Sequence, residues 1–447
     1  MADHTDYRLA FLLPQTRQLL AIRTRDAAEL PRMDIPRWSR PAEQLTKLIR
    51  GKWNIRTTVL DFIESDSGAA PCAILEMTTP NWCSEWEGFS TVDLDRVSLS
   101  DNERRCLTAL LEDQPSSSPF SRPGWIVEAQ RWIQESVGDQ DVEFNEDIRQ
   151  LSAGGHFVLV RMGTRRGPAY WLKATGFPNA HELALTRTLV RYFPQFLPPL
   201  VAAREDWNAW VTEEVGQTLR ENFDASTLTR ASRSLASLQR RSLSLVGSLL
   251  AAGCCDQRLP AVEAQVDPLI EYLKEVMEYQ VSVKVPRLGG NRLLEIGGIL
   301  HLACARMQEL EIPDSLTHND INPGNILLDE TRCVIIDWAE AGVGNPFLAF
   351  QLLSEHVARQ GERARAWEAQ ARSQYKVLWL DLLPEAVIDR AFALAPVLAI
   401  ATCLFGRGDW LHSPRRADLN FQSYTRSLAR HLDRAARSPE LLEALWR

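Results

Sequence analysis

The amino-acid sequence predicts an α+β protein in which a small α/β domain precedes a larger, two-lobed domain. The length of 447 residues is enough for roughly two or three domains. A Ser/Pro-rich segment at 113–124 has no hydrophobic periodicity and predicts a linker. After this segment predicted strands come first and long predicted helices follow, an order that favours a two-lobed α+β domain.

The predicted boundaries follow from these shifts in pattern. We expect a small α/β domain at 1–112, the linker at 113–124, a strand-rich lobe with a leading helix at 125–216, and a helical lobe at 217–447. One short strand-rich stretch, residues 317–338, interrupts the helical lobe.

In the first domain, apolar runs predict strands and apolar residues at helical spacing predict helices. Ser100 or Asp101 followed by Glu103 is typical of a helix N-cap. Proline punctuation between residues 31 and 41 predicts a loop. The predicted strands are 8–13, 18–22, 57–63 and 72–77, and the predicted helices are 42–50, ending near Gly51, and 99–111.

The second domain is predicted from the same two periods. Its helices are expected at 125–137, 181–192, 226–252, 261–277 and 292–310, with more helices from 354 to 447. Its strands are expected within 148–162 and at 170–174, 198–204 and 210–214, after which Gly216 breaks the pattern.

Composition limits the classes of function. The chain has 50 basic and 58 acidic residues and hence a net charge of −8. Proteins that bind nucleic acid by neutralising its phosphates usually carry an excess of basic residues instead. The eight cysteines include no C-x-x-C pair, so scattered thiols in a reducing compartment are expected. The longest apolar stretch, 391–404, contains Pro396 and is too short to span a bilayer. We therefore expect a cytoplasmic protein without nucleic-acid or membrane partners. The sequence does not predict its oligomeric state.

The most informative stretch runs from Ser315 to Leu328 and is followed by an apolar run that ends at Asp337. It holds Asp320 and Asn325 on either side of a Pro-Gly turn, so a hairpin would bring these side chains and Asp337 to one end. Phosphoryl transfer needs such a set, because one carboxylate accepts the proton of the attacking hydroxyl while an amide and a second carboxylate hold Mg²⁺. The alternative is a polar β-hairpin with an ordinary turn.

The ten residues from His318 to Leu327, His-Asn-Asp-Ile-Asn-Pro-Gly-Asn-Ile-Leu, with Ile-Ile-Asp-Trp after them, resemble the aminoglycoside phosphotransferase and choline kinase family of the protein-kinase-like fold. The resemblance spans roughly 145–353 and implies a kinase-like phosphotransferase domain. It assigns catalysis to Asp320 and Mg²⁺ binding to Asn325 and Asp337. It further implies ATP or GTP as phosphate donor and a small hydroxyl acceptor, cationic or sugar-like.

The sequence departs from the family pattern at three positions. Asn319 stands where glycine is usual, and Asn345 and Ala349 stand where aspartate is frequent. None of these changes removes a catalytic group, but they weaken any assignment of the acceptor subfamily.

Upstream, Lys173 lies inside an apolar strand, where an ammonium group is costly unless it meets an anion. By the resemblance it binds the nucleotide phosphates and is held by Glu182; the alternatives are a snorkelling surface lysine and a solvated first-turn glutamate. Gly154 and Gly155 would let the backbone approach phosphates, although a plain glycine turn fits equally. By the same resemblance, the strand that ends at Glu214 supplies a hinge whose backbone binds adenine.

The first domain has a fainter resemblance to a Nudix-type fold. Such a fold needs carboxylates spaced along its helix to bind Mg²⁺, whereas Lys47, Arg50 and Lys52 follow Glu43 here. A degenerate domain without metal hydrolysis, or an unrelated small α/β domain, is therefore expected.

Three hypotheses for function follow. The first is a Mg²⁺-dependent small-molecule kinase that uses ATP or GTP. The second is a kinase-like module that binds nucleotide without transferring phosphate. The third is a hydrolase of nucleoside diphosphate derivatives located in the first domain, against which the missing glutamates argue.

Overall fold

The structure is a computed structural model of the chain. It describes residues 4–25, 27–37, 39–64, 70–78, 82, 84–116, 118–138, 142–155, 157–405, 416 and 419–446. The described residues divide into two compact units, which are 1–183 with 199–214, and 184–198 with 215–447. Both contain helices and strands, which confirms the predicted α+β class.

The first unit contains two sheets with helices packed against them. Its strands are β1 His4–Leu13, β2 Gln18–Arg23, β3 Ala28–Glu29, β4 Arg32–Pro36, β5 Thr57–Ile63, β6 Cys72–Met77, β7 Trp86–Phe89, β8 Phe144–Ser152, β9 Phe157–Thr164, β10 Tyr170–Thr175, β11 Leu200–Arg204 and β12 Ala209–Glu213. Its helices are α1 Pro41–Trp53, α2 Asp101–Leu111 and α3 Trp125–Val137, and α4 Glu182–Tyr192 begins there.

The N-terminal sheet is mixed, with the order β3-β2-β1-β6-β5; β4 pairs with β1 and β7 with β2. The second sheet is antiparallel, with the order β11-β12-β10-β9-β8. β5 and β8 are therefore end strands of their sheets. One apolar core combines residues of both sheets with α2 and α3, from Ala10 and Leu12 to Leu172 and Val211.

The segment 113–124, expected as a linker, packs into this unit in its second half. Residues Pro119–Ser121 form a short 3₁₀ turn. Phe120 is 3% exposed and contacts the rings of Trp125 and Trp207 edge-on. The sheets before and after this segment consequently share one core, and the division between the units does not coincide with the expected boundary.

The second unit is mostly helical. Its helices are α5 Ala225–Ser242, α6 Val246–Ala251, α7 Leu259–Ala264, α8 Val266–Glu278, α9 Gly290–Gln308, α10 Pro346–Ala358, α11 Glu362–Val377, α12 Glu385–Phe405, α13 Leu419–Ala435 and α14 Pro439–Trp446. Its strands are β13 Gln217–Thr218, β14 Cys255–Gln257, β15 Ser315–His318, β16 Ile326–Leu328, β17 Cys333–Ile335 and β18 Ala341–Gly344, in two small sheets of three strands.

The helix expected at 226–252 is divided in the structure, because a 3₁₀ turn at Leu243–Leu245 separates α5 from α6. The helix expected at 261–277 is likewise two helices, α7 and α8. Gly51 lies within α1 rather than at its end, since Asn54 in the left-handed region ends that helix.

Among the described helices, one is long and apolar enough to cross a membrane by length and composition. Its window is Glu385–Leu404, with a mean hydropathy of 1.8, and 67% of it is buried in the protein. Most of α12 therefore packs as a core helix. All seven cysteines in the described part of the chain are free thiols, as expected.

Candidate active site

The predicted hairpin forms between β16 and β17 in the second unit. Ile326 pairs with Ile335 and Leu328 with Cys333. Asp329 closes the turn, because its carboxylate accepts the backbone N–H groups of Thr331 and Arg332 at 2.8 and 2.6 Å. Burial opposes ionisation there, but these hydrogen bonds outweigh it and hold the pKa of Asp329 well below its usual range.

This hairpin brings Asn325 and the residue before Asp337 together. The N–H of Ile336 donates to the Asn325 carbonyl oxygen at 3.0 Å. The Nε2 of buried His318 lies 2.9 Å from the Ile336 carbonyl oxygen. His318 thus fixes the backbone beside Asp337, and its ring contacts Trp338 at 4.7 Å between centroids.

Asp320 is held directly by Asn325. The Asn325 Nδ2 donates to the Asp320 backbone carbonyl at 2.9 Å and to its carboxylate Oδ2 at 3.1 Å. Both of these hydrogen bonds use Nδ2. The amide oxygen Oδ1 can therefore accept a hydrogen bond or coordinate a metal ion. The sequence prediction that these two side chains meet is therefore matched by the geometry.

Asn322 and Arg220 stabilise the tight turn between Asp320 and Asn325. Asn322 Nδ2 donates to the Asp320 carbonyl at 2.9 Å, and its Oδ1 accepts the Gly324 N–H at 2.8 Å. Arg220 donates its backbone N–H to the Pro323 carbonyl at 2.9 Å and its guanidinium to Asn322 Oδ1 at 3.3 Å. Sequence reasoning missed both residues, although Asn directly before Pro-Gly is a common turn signal.

Asn319, a departure from the family pattern, ties this loop to the chain beyond Asp337. It is buried, and its side-chain Nδ2 donates to the Glu340 carbonyl oxygen at 2.8 Å. Glycine could not make this bond. Asn345, the second departure, is the N-cap of α10 and accepts the Phe347 N–H at 3.0 Å.

The backbone of Asp337 adopts an unusual conformation. Its φ of 67° and ψ of 62° place it in the left-handed region, which L side chains other than Asn and Asp rarely adopt. The residue is exposed and directly precedes a 3₁₀ turn at Trp338–Glu340. Such strain at a single residue is typical of functional sites.

The donor set of this loop suits Mg²⁺. Asn325 offers an amide oxygen, and Asp337 is exposed and offers a carboxylate. Mg²⁺ in proteins is typically bound by one or two such oxygen ligands, and water and substrate phosphates complete its coordination. Among the described residues, no group of three or more His, Cys, Asp or Glu side chains could hold a metal ion by itself.

In the first unit, Lys173 and Glu182 form an ion pair with 2.5 Å between Nζ and Oε1. The Lys173 side chain is 12% exposed and that of Glu182 is 1% exposed. Lys173 lies on β10, and Glu182 is the first residue of α4, where the helix dipole favours a carboxylate. The ammonium also lies 5.6 Å from the Trp210 ring and 5.9 Å from the Phe157 ring. This geometry excludes the snorkelling and solvated alternatives for the pair.

Glu214 is engaged elsewhere in the same unit. Its carboxylate accepts two hydrogen bonds from Arg161, at 2.6 and 2.8 Å, and one from Trp171 Nε1 at 3.1 Å. The Arg161 guanidinium lowers the pKa of the Glu214 carboxyl below its usual range. Its backbone N–H donates to the Ala169 carbonyl at 2.8 Å. Neither group is therefore open to a nucleotide base in this conformation.

Gly154 and Gly155 form the turn between β8 and β9. Gly154 has a φ of +140°, a conformation that suits glycine alone. A Cβ on Gly155 would lie 3.3 Å from the Ser118 Cβ and 3.5 Å from the Ser121 Oγ. The packing around Gly155 therefore favours glycine at this position whether or not the turn binds a phosphate.

Helix α1 offers no cluster of carboxylates. Its one acidic residue, Glu43, accepts from the Arg149 guanidinium at 2.6 Å. The helix also carries the basic Lys47, Arg50 and Lys52. A Nudix-type metal site is accordingly not formed by the described residues of α1.

Residues 214–376 match the sequence profile of a family described as phosphotransferase enzymes. Among curated proteins, no significant match is found. Similar solved structures include an ethanolamine kinase from Plasmodium vivax, with 13% identity and a TM-score of 0.47 over 78% of this chain and 98% of that chain.

Two others are a macrolide 2′-phosphotransferase from Brachybacterium faecium (14% identity, TM-score 0.41, 66% of this chain and 97% of that one) and a choline/ethanolamine kinase family protein from Mesorhizobium loti (15% identity, TM-score 0.42, 72% of this chain and 97% of that one).

The matched segment contains Asp320, Asn325 and Asp337 in the loop and hairpin described above. It is a phosphotransferase-family segment, and it confirms the resemblance drawn from the sequence motif. The chain is accordingly a phosphotransferase.

Proposed function

We propose that the protein transfers the γ-phosphoryl group of ATP or GTP to a hydroxyl of a small acceptor, with Mg²⁺ bound by Asn325 and Asp337. The observation that carries this proposal is the double hydrogen bond from the Asn325 amide to the Asp320 backbone and carboxylate. It fixes the orientation of one carboxylate oxygen while the hairpin fixes the backbone beside Asp337.

In this proposal Asp320 orients the acceptor hydroxyl and accepts its proton as the hydroxyl attacks phosphorus. Lys173, held by Glu182, neutralises charge on the nucleotide phosphates. The turn of Gly154 and Gly155 supplies backbone N–H groups to the same phosphates. When bound, Mg²⁺ would neutralise further charge on the β- and γ-phosphates. Catalysis would then come from positioning and charge neutralisation.

The chemistry of the acceptor is proposed by resemblance alone, as a small alcohol that is cationic or sugar-like. A cytoplasmic location is part of the same proposal, supported by the free thiols of the described cysteines and by their scattered spacing. The base of the nucleotide would meet the backbone that follows β12, since the Glu214 N–H and carboxylate already have partners.

The test is a phosphotransfer assay of the full chain, wild type and Asp320→Asn, over a panel of small alcohols with ATP and GTP. We expect wild-type product and a loss of at least about a thousandfold in kcat for the variant, because the general base is removed. Mg-ATP binding should persist. Asp206→Asn, an exposed carboxylate paired with Arg204, is the matched control.

Two outcomes would count against the proposal. If the Asp320→Asn variant forms product at the wild-type rate, Asp320 is not the general base. A wild type that binds Mg-ATP but phosphorylates nothing on a broad panel favours the nucleotide-binding module without transfer.

A further inference from the structure

The end strands of the two sheets in the first unit are joined by one side chain. Gln150 on β8 donates its Nε2 to the Val59 carbonyl at 2.8 Å, and its Oε1 accepts the Val59 N–H at 2.8 Å. Gln150 is 3% exposed. Its amide therefore pairs with the open edge of β5 as the backbone of another strand would.

The pairing register of both strands shifts next to the residues that meet. The register of β5 with β6 shifts between Val59 and Asp61, and that of β8 with β9 shifts between Gln150 and Ser152. A bulge bends its strand and redirects a side chain. The contact is thus built into both sheets rather than added at their surfaces.

The contact continues into the glycine turn directly after β8. Asp61 accepts the Ser121 hydroxyl at 2.9 Å and the Phe62 N–H at 2.8 Å. A Cβ on Gly154 would lie 3.8 Å from the Asp61 Oδ1, and Gly155 packs on Ser118 and Ser121. The turn consequently lies against β5 and the 118–121 segment.

We propose that the N-terminal α/β region is a support that holds the Gly154–Gly155 turn in one conformation for the nucleotide phosphates, with Gln150, Asp61 and Ser121 as positioning residues. This inference rests on the proposed function, which assigns that turn to the nucleotide. It gives the N-terminal region a role in nucleotide affinity without an activity of its own.

The physical reason is conformational entropy. Two glycines make a turn that has many conformations available, and ordering them on binding would cost affinity. Contacts that order the turn beforehand remove this cost from the binding step. Because Ser121 and Asp61 lie against the turn, their loss should act on nucleotide affinity.

The experiment compares the full-length wild type with Ser121→Ala and Asp61→Ala, which break the 2.9 Å bond from either side. Hydrogen exchange of residues 151–155 and calorimetric titration with Mg-ATP are measured for each. Asp61→Asn keeps an acceptor oxygen and tests rescue. Glu43→Gln, which breaks the ion pair of the exposed Arg149 next to Gln150 on β8, is the matched control.

We expect Ser121→Ala and Asp61→Ala to speed exchange in the turn and to raise the Kd for Mg-ATP about five- to tenfold. Asp61→Asn and Glu43→Gln should remain within about twofold of wild type. If hydrogen exchange is unchanged in both alanine variants, these residues do not order the turn, and the proposal is wrong. If exchange is faster but the Kd for Mg-ATP is unchanged, the order of the turn does not contribute to nucleotide binding. A wild type that does not bind Mg-ATP at all would overturn the proposed function itself, a failure distinguishable because it appears without any mutation. If Asp61→Ala does not fold, Ser121→Ala decides.

Discussion

The Lys173 ammonium lies 2.5 Å from the Glu182 carboxylate, and the pair is almost fully buried between β10 and the start of α4. A buried charge whose partner is removed loses its compensation but cannot recover water. The two residues are therefore coupled, and their separate roles in stability and in phosphate binding can be distinguished by mutation.

Replacing Lys173 by Met should destabilise the chain by about 3 kcal/mol, because the Glu182 carboxylate stays buried without its cation. Adding Glu182→Gln removes the stranded charge and should restore most of that stability. Mg-ATP affinity should remain at least about tenfold reduced in both variants, since the cation that we propose for phosphate binding is gone. Urea unfolding and nucleotide titration measure the two effects. A double variant that binds Mg-ATP as the wild type does would contradict the role of Lys173.

Asp337→Asn should raise the Mg²⁺ concentration needed for half-maximal ATP binding by at least about tenfold. The residue is exposed, and its left-handed conformation is one that Asn also adopts, so the fold should be retained. The measurement is a Mg²⁺ titration at fixed ATP, with thermal unfolding as a check on the fold. An unchanged Mg²⁺ requirement would remove Asp337 from the proposed metal site.

Gly216→Ala should destabilise the second unit by about 2 kcal/mol or more. A Cβ there would lie 2.0 Å from the Leu328 carbonyl oxygen, and the φ of +45° is itself unfavourable for alanine. The backbone would have to move away from β16, the strand that begins directly after Asn325.

Gly247→Ala in helix α6 provides the comparison, because nothing lies within 4 Å of its added Cβ. It should stabilise the protein by about 0.5–1 kcal/mol, since alanine is the better helix former. Chemical denaturation of both variants measures the difference. Equal stabilities for the two alanine variants would show that the close approach of Gly216 to Leu328 is not what requires glycine.

The buried carboxylate of Glu76 should make the stability of the folded protein depend on pH. Glu76 is 9% exposed, and its carboxylate accepts the Gly124 N–H at 2.9 Å. Burial raises the pKa of this carboxyl above the ordinary value of 4.5, and the hydrogen bond opposes that shift. The folded state thus binds the proton more tightly than the unfolded state does. Stability from this group is complete below 4.5 and is lost as pH rises through the folded pKa.

Glu76→Gln keeps an acceptor for Gly124 without the buried charge. We expect the variant to be more stable than the wild type at pH 7, by about 1 kcal/mol, and the advantage to vanish as the pH approaches 4. Unfolding curves at several pH values test this. A variant that is less stable at pH 7 would mean that the charge on Glu76 stabilises the N-terminus of α3 more than its burial costs.

Local patterns predicted the elements whose signals lie within a few residues. Strands 57–63 and 72–77 and helix 125–137 have the predicted bounds, and Ser100 with Glu103 forms the capping box. Pro31 and Pro36 favour a loop in the sequence, whereas Arg32–Pro36 forms strand β4 in the structure. It forms by antiparallel pairing with β1, a partner more than twenty residues away that no local pattern can reveal.

For the site, the sequence by itself determined which chemical groups the proposed catalytic loop and hairpin carry, because Asp320, Asn325 and Asp337 belong to one short chain segment whose turns constrain their spacing. The resemblance to the kinase-like family also implied the Lys173–Glu182 pairing, which the structure contains.

Only the tertiary structure decided that Glu214 is occupied by Arg161, that Asn319 ties the loop to Glu340, and that Gln150 completes the edge of β5. The residues joined by these three contacts lie 53, 21 and 91 positions apart along the chain, respectively. Such pairings depend on which strand edges and buried polar groups meet after the chain has folded, and local periodicity carries no information about them.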